Sequence, residues 1–304
     1  MDRIETILGN TGIKSTKLGF GTTGLRTIEQ ELSTKLLHTA IVKYGIKHID
    51  TAAMYQTEEK VGIALRELNL TDEVTLSTKV GGYRDWEREI NFFSFERDTV
   101  LNSIELSLKR LQVSTLDIVH VHDARPEHMA DVFGSGGALD TLVSLKEEGV
   151  IRAIGMATKF MPLQIASVFD HRVDIIQTYN VYNLLDRRAE IELYPTAMEK
   201  GKVIINTAPF AGFILATGPG PNASYIYEPV PEEIERRVIN MQAKCDKLDV
   251  KLTDVAMSFC FDNPVVHSTV LSTHKPSHIK NWLDMMQNPV PRETVQAVLK
   301  AGEA

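Results

Sequence analysis

Cysteine is scarce in this sequence: only Cys245 and Cys260 occur among 304 residues, and both lie in segments with a helical pattern. A disulfide framework needs several cysteines at regular spacing, and a thiolate zinc site needs them in close pairs. Neither arrangement is present in the sequence. We therefore expect no cysteine-bound metal and a reducing compartment, which for this composition is the cytoplasm.

Long apolar runs and blocks of one charge are also missing. No stretch approaches the roughly 18 apolar residues that a membrane span needs, and the first part of the chain mixes charged with apolar residues, unlike a secretory leader. Lysine and arginine number 33 against 40 acidic residues, which gives a formal net charge of −7 without a basic block. We expect no nucleic acid and no membrane as partners, and a small molecule as the ligand.

What the chain does have is a regular alternation of short apolar segments and amphipathic stretches. Residues 3–14 alternate around a Gly-Asn-Thr-Gly turn and predict a β-hairpin. Stretches with a period near 3.6 predict helices between eight predicted strands. The strands are predicted at 18–20, 48–50, 74–79, 116–121, 153–156, 175–178, 203–206 and 268–271.

An α/β chain with eight such units after a hairpin predicts a (β/α)8 TIM barrel closed at its base. No linker rich in proline or serine interrupts the alternation, so residues 1–304 are expected to form one domain, as a monomer or weak homo-oligomer. Irregular segments are predicted at 81–94, 123–137 and 208–229, after the third, fourth and seventh strands. In a barrel these loops lie on the face that carries the active site.

Polar residues gather at the predicted carboxyl ends of neighbouring strands. The second strand ends at Asp50 with Tyr55 following, and the third ends at Lys79. Asp50 could merely cap the next helix, but a buried lysine on the adjacent strand needs a counter-charge, and Asp50 would supply it. Such a pair beside the phenol of Tyr55 would favour the phenolate and make Tyr55 a general acid or base.

The fourth strand adds a histidine to the same mouth. Its period of two puts Ile118, His120 and His122 on one face, with His122 uppermost. His122 could orient a substrate oxygen or help to move a proton, or its ring could simply bond to the backbone; His120, one layer down, is expected to be structural. An acid, a phenol, a lysine and a histidine in one mouth suit the interconversion of alcohols and carbonyls by hydride transfer.

Several motifs together resemble the aldo-keto reductases in order and spacing. They are His48-Ile-Asp-Thr-Ala-Ala-Met-Tyr55, Ser77-Thr-Lys79, Asp117-Ile-Val-His-Val-His122, Gly149-Val-Ile-Arg-Ala-Ile-Gly155 and Ala208-Pro-Phe-Ala-Gly-Phe-Ile-Leu215. The resemblance covers nearly the whole chain. Residues 77–83 and 116–123 are most similar to the branch that oxidises aldoses at C1, which includes the L-galactose and L-fucose (D-threo-aldose) dehydrogenases.

The resemblance implies a catalytic tetrad of Asp50, Tyr55, Lys79 and His122, with Tyr55 as proton donor or acceptor. It also implies NAD or NADP bound without a Rossmann fold, and the sequence has no Gly-x-Gly-x-x-Gly. The implied cofactor contacts are Gly21, Thr22, Thr23, Asp50, Thr158, Gln177, Ala208, Pro209, Phe210, Gly212, Leu215, Ser272, His278 and Asn281. The chain departs from the family where a Ser-Asn pair is usual, since it has Ala157-Thr158, and where a tyrosine often stacks on the nicotinamide, since it has Thr207.

Substrate and cofactor preference follow from the loops. Tyr83 and Trp86, with Phe92 and Phe93, are expected to form an aromatic wall over the mouth, so that Tyr55, Tyr83, Trp86 and His122 contact the substrate. Positions where NADP-preferring members have lysine and arginine are Ser272 and His278 here, so the resemblance implies a preference for NAD unless Lys275 or Lys280 compensates.

Other interpretations stay open at this stage. His120-x-His122-Asp123 could belong to a metal-dependent hydrolase, although the fifth and sixth strands supply no further ligands at their ends. Lys79 could form a Schiff base in a lyase, although Asp50 would keep it protonated. A general aldehyde or ketone reductase, or a barely catalytic nucleotide-sensing protein, would have the same fold.

Overall fold

The chain opens with the predicted hairpin, which lies beneath a barrel. In the computed structural model, which describes residues 4–220, 223–226 and 228–303, β1 (Glu5–Ile7) pairs antiparallel with β2 (Lys14–Thr16). The later strands are β3 (Leu18–Gly21), β4 (His48–Asp50), β5 (Thr75–Val80), β6 (Gly82–Asp85), β7 (Ile90–Phe93), β8 (Leu116–His122), β9 (Ile151–Thr158), β10 (Ile175–Tyr179), β11 (Val203–Thr207), β12 (Ser224–Tyr225), β13 (Glu228–Pro229) and β14 (Val266–Ser272).

Eight of these strands close into a parallel barrel in the order β10-β11-β14-β3-β4-β5-β8-β9. Each of the eight strands predicted from the sequence is one of them, so the prediction of a (β/α)8 barrel is confirmed. The largest differences in length are at β9 and β14, which run beyond the apolar segments that predicted them.

Helices surround the barrel and pack their apolar faces against the outer side of the strands. They are α1 (Gln30–His38), α2 (Glu58–Glu67), α3 (Arg97–Leu111), α4 (Met129–Phe133), α5 (Ala138–Glu147), α6 (Met161–Phe169), α7 (Arg188–Glu192), α8 (Tyr194–Glu199), α9 (Ile214–Thr217), α10 (Glu232–Leu248), α11 (Leu252–Phe261), α12 (Pro276–Gln287) and α13 (Arg292–Gly302). Both cysteines lie in helices, as predicted, and the structure shows them to be buried free thiols. No helix of the described segments has the length and apolar character needed to cross a bilayer.

The hairpin plugs the base of the barrel. Leu8 and Ile13 belong to a buried apolar cluster with the inward side chains of five strands, among them Ile118 and Val203. Val119 and Val121 instead belong to the large cluster between barrel and helices. This alternation along β8 is the one that the sequence predicted. The cluster fills the lower interior of the barrel with apolar side chains, and in barrels of this kind the functional site lies at the opposite end.

Residues 81–94 were expected to be irregular, and this expectation is wrong. Gly82–Asp85 and Ile90–Phe93 form a second hairpin, β6–β7, in which the Tyr83 and Phe92 rings stack at 5.4 Å. Its turn is held by the Asp85 carboxylate, which accepts from the backbone N–H groups of Glu87 and Arg88 at 3.0 Å each. Cross-strand pairing thus orders a segment whose charged turn gave no strand signal.

The other two loops also contain short regular pieces. Residues 123–137 include a single turn at Pro126–His128 and helix α4. Residues 208–229 include α9 and the pair β12–β13, while 221, 222 and 227 lie outside the described residues. All three loops rise from the carboxyl ends of barrel strands.

Candidate active site

The centre of the mouth is a buried ion pair between adjacent strands. Asp50 is the last residue of β4, and Lys79 projects inward from β5 so that its Nζ lies 2.6 Å from Asp50 Oδ2. The two side chains are only 5% and 2% exposed. Lys79 also donates to the carbonyl of Thr51 at 2.8 Å. The pairing expected from the sequence is therefore present, and Asp50 is not a helix cap.

Two more groups donate to the Asp50 carboxylate. Ser77 Oγ donates to Oδ1 at 2.7 Å, and Gln177 Nε2, from β10 across the barrel, donates to Oδ2 at 3.3 Å. Burial by itself would raise the pKa of Asp50, but the neighbouring Lys79 ammonium opposes this and the pKa is lowered to about 2. Burial lowers the pKa of Lys79, and Asp50 opposes that effect. The pair is an ionised couple with little access to water.

Below the pair, a chain of hydrogen bonds reaches toward the base of the barrel. The ring of His48 lies between two serines, with Nε2 3.2 Å from Ser77 Oγ and Nδ1 3.2 Å from Ser268 Oγ. Ser268 in turn donates to the carbonyl of Thr16 at 2.8 Å. Burial lowers the pKa of His48 to about 4. Ser77 and His48 were not predicted as site residues, although each shares a strand and a face with one that was.

Tyr55 sits on a single helical turn, Ala53–Tyr55, that is ended by Gln56 in the left-handed region at φ 56°. The turn is fastened by hydroxyl contacts below it: Thr57 Oγ1 lies 2.8 Å from Thr22 Oγ1 and 3.0 Å from Thr51 Oγ1. Tyr55 is half-buried, and Lys79 Nζ lies 5.1 Å from the centre of its ring. The cation that the sequence predicted beside the phenol is in place.

His122 completes the group from β8. Its ring meets the ring of Tyr55 edge-on, with 5.7 Å between centroids and an interplanar angle of 88°. Burial, together with the charge of Lys79, lowers the pKa of His122 to about 3, so its imidazole is neutral at neutral pH. A neutral imidazole at a mouth can both donate and accept a hydrogen bond.

His120, one layer deeper, is fully buried and fills the space that Gly155 leaves on β9. A Cβ at Gly155 would lie 2.0 Å from His120 Nδ1. Burial lowers the pKa of His120 well below its usual value, so this ring is neutral too. Across the described residues, no three His, Cys, Asp or Glu side chains are grouped as metal ligands would be.

The residues expected to hold nicotinamide fit that group. The side-chain N–H of Gln177 donates to Asp50, whereas its Oε1 is buried without a hydrogen-bond partner. That oxygen can accept from an amide N–H such as that of the nicotinamide carboxamide. Gly21 ends β3 without a side chain, where a Cβ would press on Val270 at 3.2 Å. The hydroxyl of Thr158 instead donates to the carbonyl of Ala124 at 2.8 Å. Gln177 and Gly21 therefore could hold the ring, with Thr158 in a supporting position.

The expected dinucleotide contacts lie on two further loops. After β11, Ala208 and Ala211 have φ of 59° and 50°, and Gly212 and Phe213 follow at 68° and 80°, so the backbone turns sharply there. Pro209, Phe210 and Leu215 are buried beneath this turn. After β14, Ser272 Oγ accepts from Thr23 Oγ1 at 2.8 Å and from the Gly24 N–H at 2.9 Å. These contacts bring the loops after β3 and β14 together.

Farther along the segment after β14, His278 Nδ1 lies 2.9 Å from Thr273 Oγ1, and Asn281 is exposed on α12. Burial and the neighbouring Lys275 lower the pKa of His278, which keeps its ring neutral at neutral pH. Lys280 is paired with Asp284 at 2.6 Å. Neither Ser272 nor His278 therefore offers a fixed positive charge.

The aromatic residues of the second hairpin do not form one continuous wall. Tyr83 and Phe92 line a cavity that opens toward α3, while Trp86 donates from Nε1 to the carbonyl of Met54 at 2.8 Å. Phe93 packs against His128. The guanidinium of Arg26 lies over Trp86, with 3.8 Å from Cζ to the ring centroid. Arg26 was not expected at the mouth, because nothing in its local sequence pattern distinguishes it from a surface arginine.

Known proteins resemble this chain over almost its full length. It is 26% identical over 322 residues to pyridoxal 4-dehydrogenase of Microbacterium luteolum, with 94% of each chain covered. It is 27% identical over 295 residues to L-galactose dehydrogenase of Arabidopsis thaliana, with 92% of this chain and 87% of the relative covered. A solved structure of an aldo-keto reductase from Bacillus halodurans, in its holo form, has the same fold, with a TM-score of 0.83 at 22% identity over 98% of this chain and 96% of the other. The model of the Aldo/keto reductase family matches residues 17–303, and we conclude that the chain belongs to the aldo/keto reductase family.

Proposed function

We propose that this protein is an NAD(P)-dependent oxidoreductase whose main reaction is the oxidation of an aldose at C1 to the lactone. Members of its family are oxidoreductases that use nicotinamide cofactors. The observation that carries the proposal is the half-buried Tyr55 phenol, which lies beside the Lys79–Asp50 pair and edge-on to His122. The likeness to L-galactose dehydrogenase supports an aldose as the substrate.

In this mechanism Tyr55 moves the proton. During oxidation its phenolate oxygen takes the proton of the C1 hydroxyl as the C1–H bond breaks and the C1=O bond forms; during carbonyl reduction it returns the proton. The Lys79 cation stabilises the negative charge on the phenol oxygen, and Asp50 keeps Lys79 protonated in its buried position. A nicotinamide ring held at Gln177 would accept the hydride from C1 during oxidation and would donate it during reduction.

His122 is proposed to orient the substrate oxygen. Its neutral ring can donate one hydrogen bond to the oxygen at C1 without adding a charge that would compete with Lys79. Gln177 would connect the cofactor to the ion pair. Its N–H donates to Asp50, and its Oε1 is available to the nicotinamide carboxamide.

We also propose that NAD is preferred over NADP. The positions that would meet a 2′-phosphate are Ser272 and His278, and neither is a fixed cation at neutral pH. Lys280, one of two lysines able to compensate, is paired with Asp284. A charge-assisted bond to a phosphate contributes roughly 1.5 to 3 kcal/mol, so its absence should cost NADP about tenfold to a hundredfold in selectivity.

A second candidate reaction is the reduction or oxidation of a ring-bearing aldehyde. The likeness to pyridoxal 4-dehydrogenase and the indole of Trp86 beside the Tyr55 turn favour it. The same catalytic residues would serve, because only the group that carries the carbonyl differs.

A substrate panel tests the proposal. Purified protein is assayed for NADH and NADPH formation with aldoses and alcohols, and for their consumption with aldehydes and ketones. We expect the highest kcat/KM with an aldose and NAD. A kcat/KM at least tenfold higher with non-sugar aldehydes would contradict aldose oxidation in favour of the second candidate. No turnover in either direction, with the cofactor still bound, would indicate a nucleotide-sensing protein.

We propose that residues 1–304 act as one catalytic domain in the cytoplasm, as a monomer or weak homo-oligomer with a small-molecule substrate. Size-exclusion chromatography with light scattering measures the mass directly, and a stable assembly at micromolar concentration would contradict this.

A further inference from the structure

Two arginines share one indole at the rim of the mouth. The Arg26 guanidinium carbon lies 3.8 Å from the centroid of the Trp86 ring, and that of Arg84 lies 4.6 Å from it. Trp86 itself is tied by its N–H to the carbonyl of Met54, the residue before Tyr55. The cluster of Arg26, Arg84 and Trp86 therefore lies next to the turn that carries the phenol.

The backbone of Arg26 is firmly placed. Lys60 Nζ, from α2, donates to the carbonyls of Leu25 at 3.0 Å and Arg26 at 3.3 Å. The same loop is fastened to β14 by the bond from the Gly24 N–H to Ser272 Oγ. Arg84 is placed by the hairpin, where its Nη1 donates to Asn91 Oδ1 at 3.1 Å. Both cations are thus pre-positioned, which lowers the entropy lost on binding a ligand.

No acid neutralises this pair within the part of the chain that the structure describes. Asp85, next to Arg84 in the chain, is used by its own turn and by Arg88. Glu58, which lines the same cavity as Arg84, is used by Arg110 and Thr78. Arg84 Nε is buried without any acceptor. Two like charges on one ring repel each other, and an anion bound to both would relieve that repulsion.

We propose that Arg26 and Arg84 bind an anionic group of the substrate, so that the preferred substrate is an aldose bearing a carboxylate or a phosphate away from C1. This rests on the proposed function, because it takes Tyr55 as the group that meets C1. Guanidinium forks match the oxygen geometry of both anions, and the indole holds them without consuming their N–H groups.

The alternative is that the stack is a clamp, in which the cation–π contacts only hold the hairpin against the loop after β3. A clamp would affect every substrate equally, whereas an anion site would affect only charged ones. A third arrangement, in which Arg26 meets the cofactor pyrophosphate, would alter the KM for NAD instead.

The test compares galactose, galacturonate and galactose 6-phosphate, which differ only at C6. For the wild type we expect kcat/KM at least tenfold higher with one of the anionic sugars than with galactose. The Arg26→Gln and Arg84→Gln variants should each lower that anionic kcat/KM by about tenfold and change the galactose value less than twofold. Arg66→Gln, an exposed arginine bonded to Gln112, is the matched control and should change neither.

Two measurements do not depend on a variant that folds or on turnover. Raising the salt concentration should weaken the binding of the anionic sugars but not of galactose, because salt screens the attraction between the arginines and the anion. Calorimetric binding of the three sugars to the NAD-saturated wild type should show the same order of affinity. Tighter binding of an anionic sugar than of galactose, without turnover of any of the three, contradicts the proposed function and supports the anion site.

Equal binding of all three sugars overturns the anion site, as does an equal loss with every sugar in the arginine variants. A rise confined to the KM for NAD overturns it too. Preference for the carboxylate over the phosphate, or the reverse, identifies which anion the site takes.

Discussion

The ion pair between Lys79 and Asp50 should be strongly coupled in stability. Replacing Lys79 by Met leaves a buried carboxylate whose donors, among the described residues, are Ser77 and Gln177. Replacing Asp50 by Asn leaves a buried ammonium with the Thr51 carbonyl. Breaking a buried pair from one side costs about 3–5 kcal/mol, and we expect the lysine variant near the lower end because two donors remain. Replacing both residues together leaves no buried charge without a partner, so the double variant should lose less stability than the sum of the two single variants.

The double-mutant cycle is measured by urea unfolding at pH 7, followed by circular dichroism. We expect a coupling energy of roughly 0.5 to 3 kcal/mol between the two substitutions, and lower activity in all three variants. The matched control is Lys280 and Asp284, which are also 2.6 Å apart but have side chains 62% and 51% exposed. That pair should couple more weakly than Lys79 and Asp50, because water and salt screen exposed charges. Additive losses of stability at Lys79 and Asp50, or a coupling energy no larger than that of the control pair, would show that the two buried charges do not depend on each other.

Three other predictions concern proton transfer, cofactor choice and acid stability. Tyr55→Phe should lower kcat by at least about 10² with cofactor binding nearly unchanged, since general acid–base catalysis contributes about 10² to 10⁴; steady-state kinetics checks this, and retention of most of the kcat would contradict it. Ser272→Lys with His278→Arg should move the NAD to NADP ratio of kcat/KM toward NADP; a wild-type preference for NADP of tenfold or more would show that another cation holds the phosphate. The pKa of Asp50 is lowered from 3.8 to about 2, so its contribution of roughly 2 kcal/mol is fully present above pH 3.8 and lost as the pH falls through about 2. Acid unfolding of Asp50→Asn should lack that component, and an unchanged acid profile would contradict it.

The sequence by itself determined the barrel and which face of a strand each side chain takes. Period-two alternation along 116–122 assigned His122 to the inner face and Val121 to the outer, because each residue in a strand points opposite to its neighbour. Asp50 and Lys79 were predictable as a pair for a similar reason. Asp50 ends β4 and Lys79 lies one residue before the end of β5, and strands that follow one another in the chain are neighbours in a barrel. These are local properties that a short window of residues contains.

Only the tertiary structure decided what surrounds that pair. The contacts of Gln177 with Asp50 and of Arg26 with Trp86 join segments far apart in the sequence, and they exist because barrel closure brings those strand ends and loops together. The hairpin over residues 82–93 likewise depends on pairing across a charged turn that has no strand pattern of its own. Periodicity specifies which face a side chain takes, whereas the partner it meets there is fixed by the closed backbone, which no local window contains.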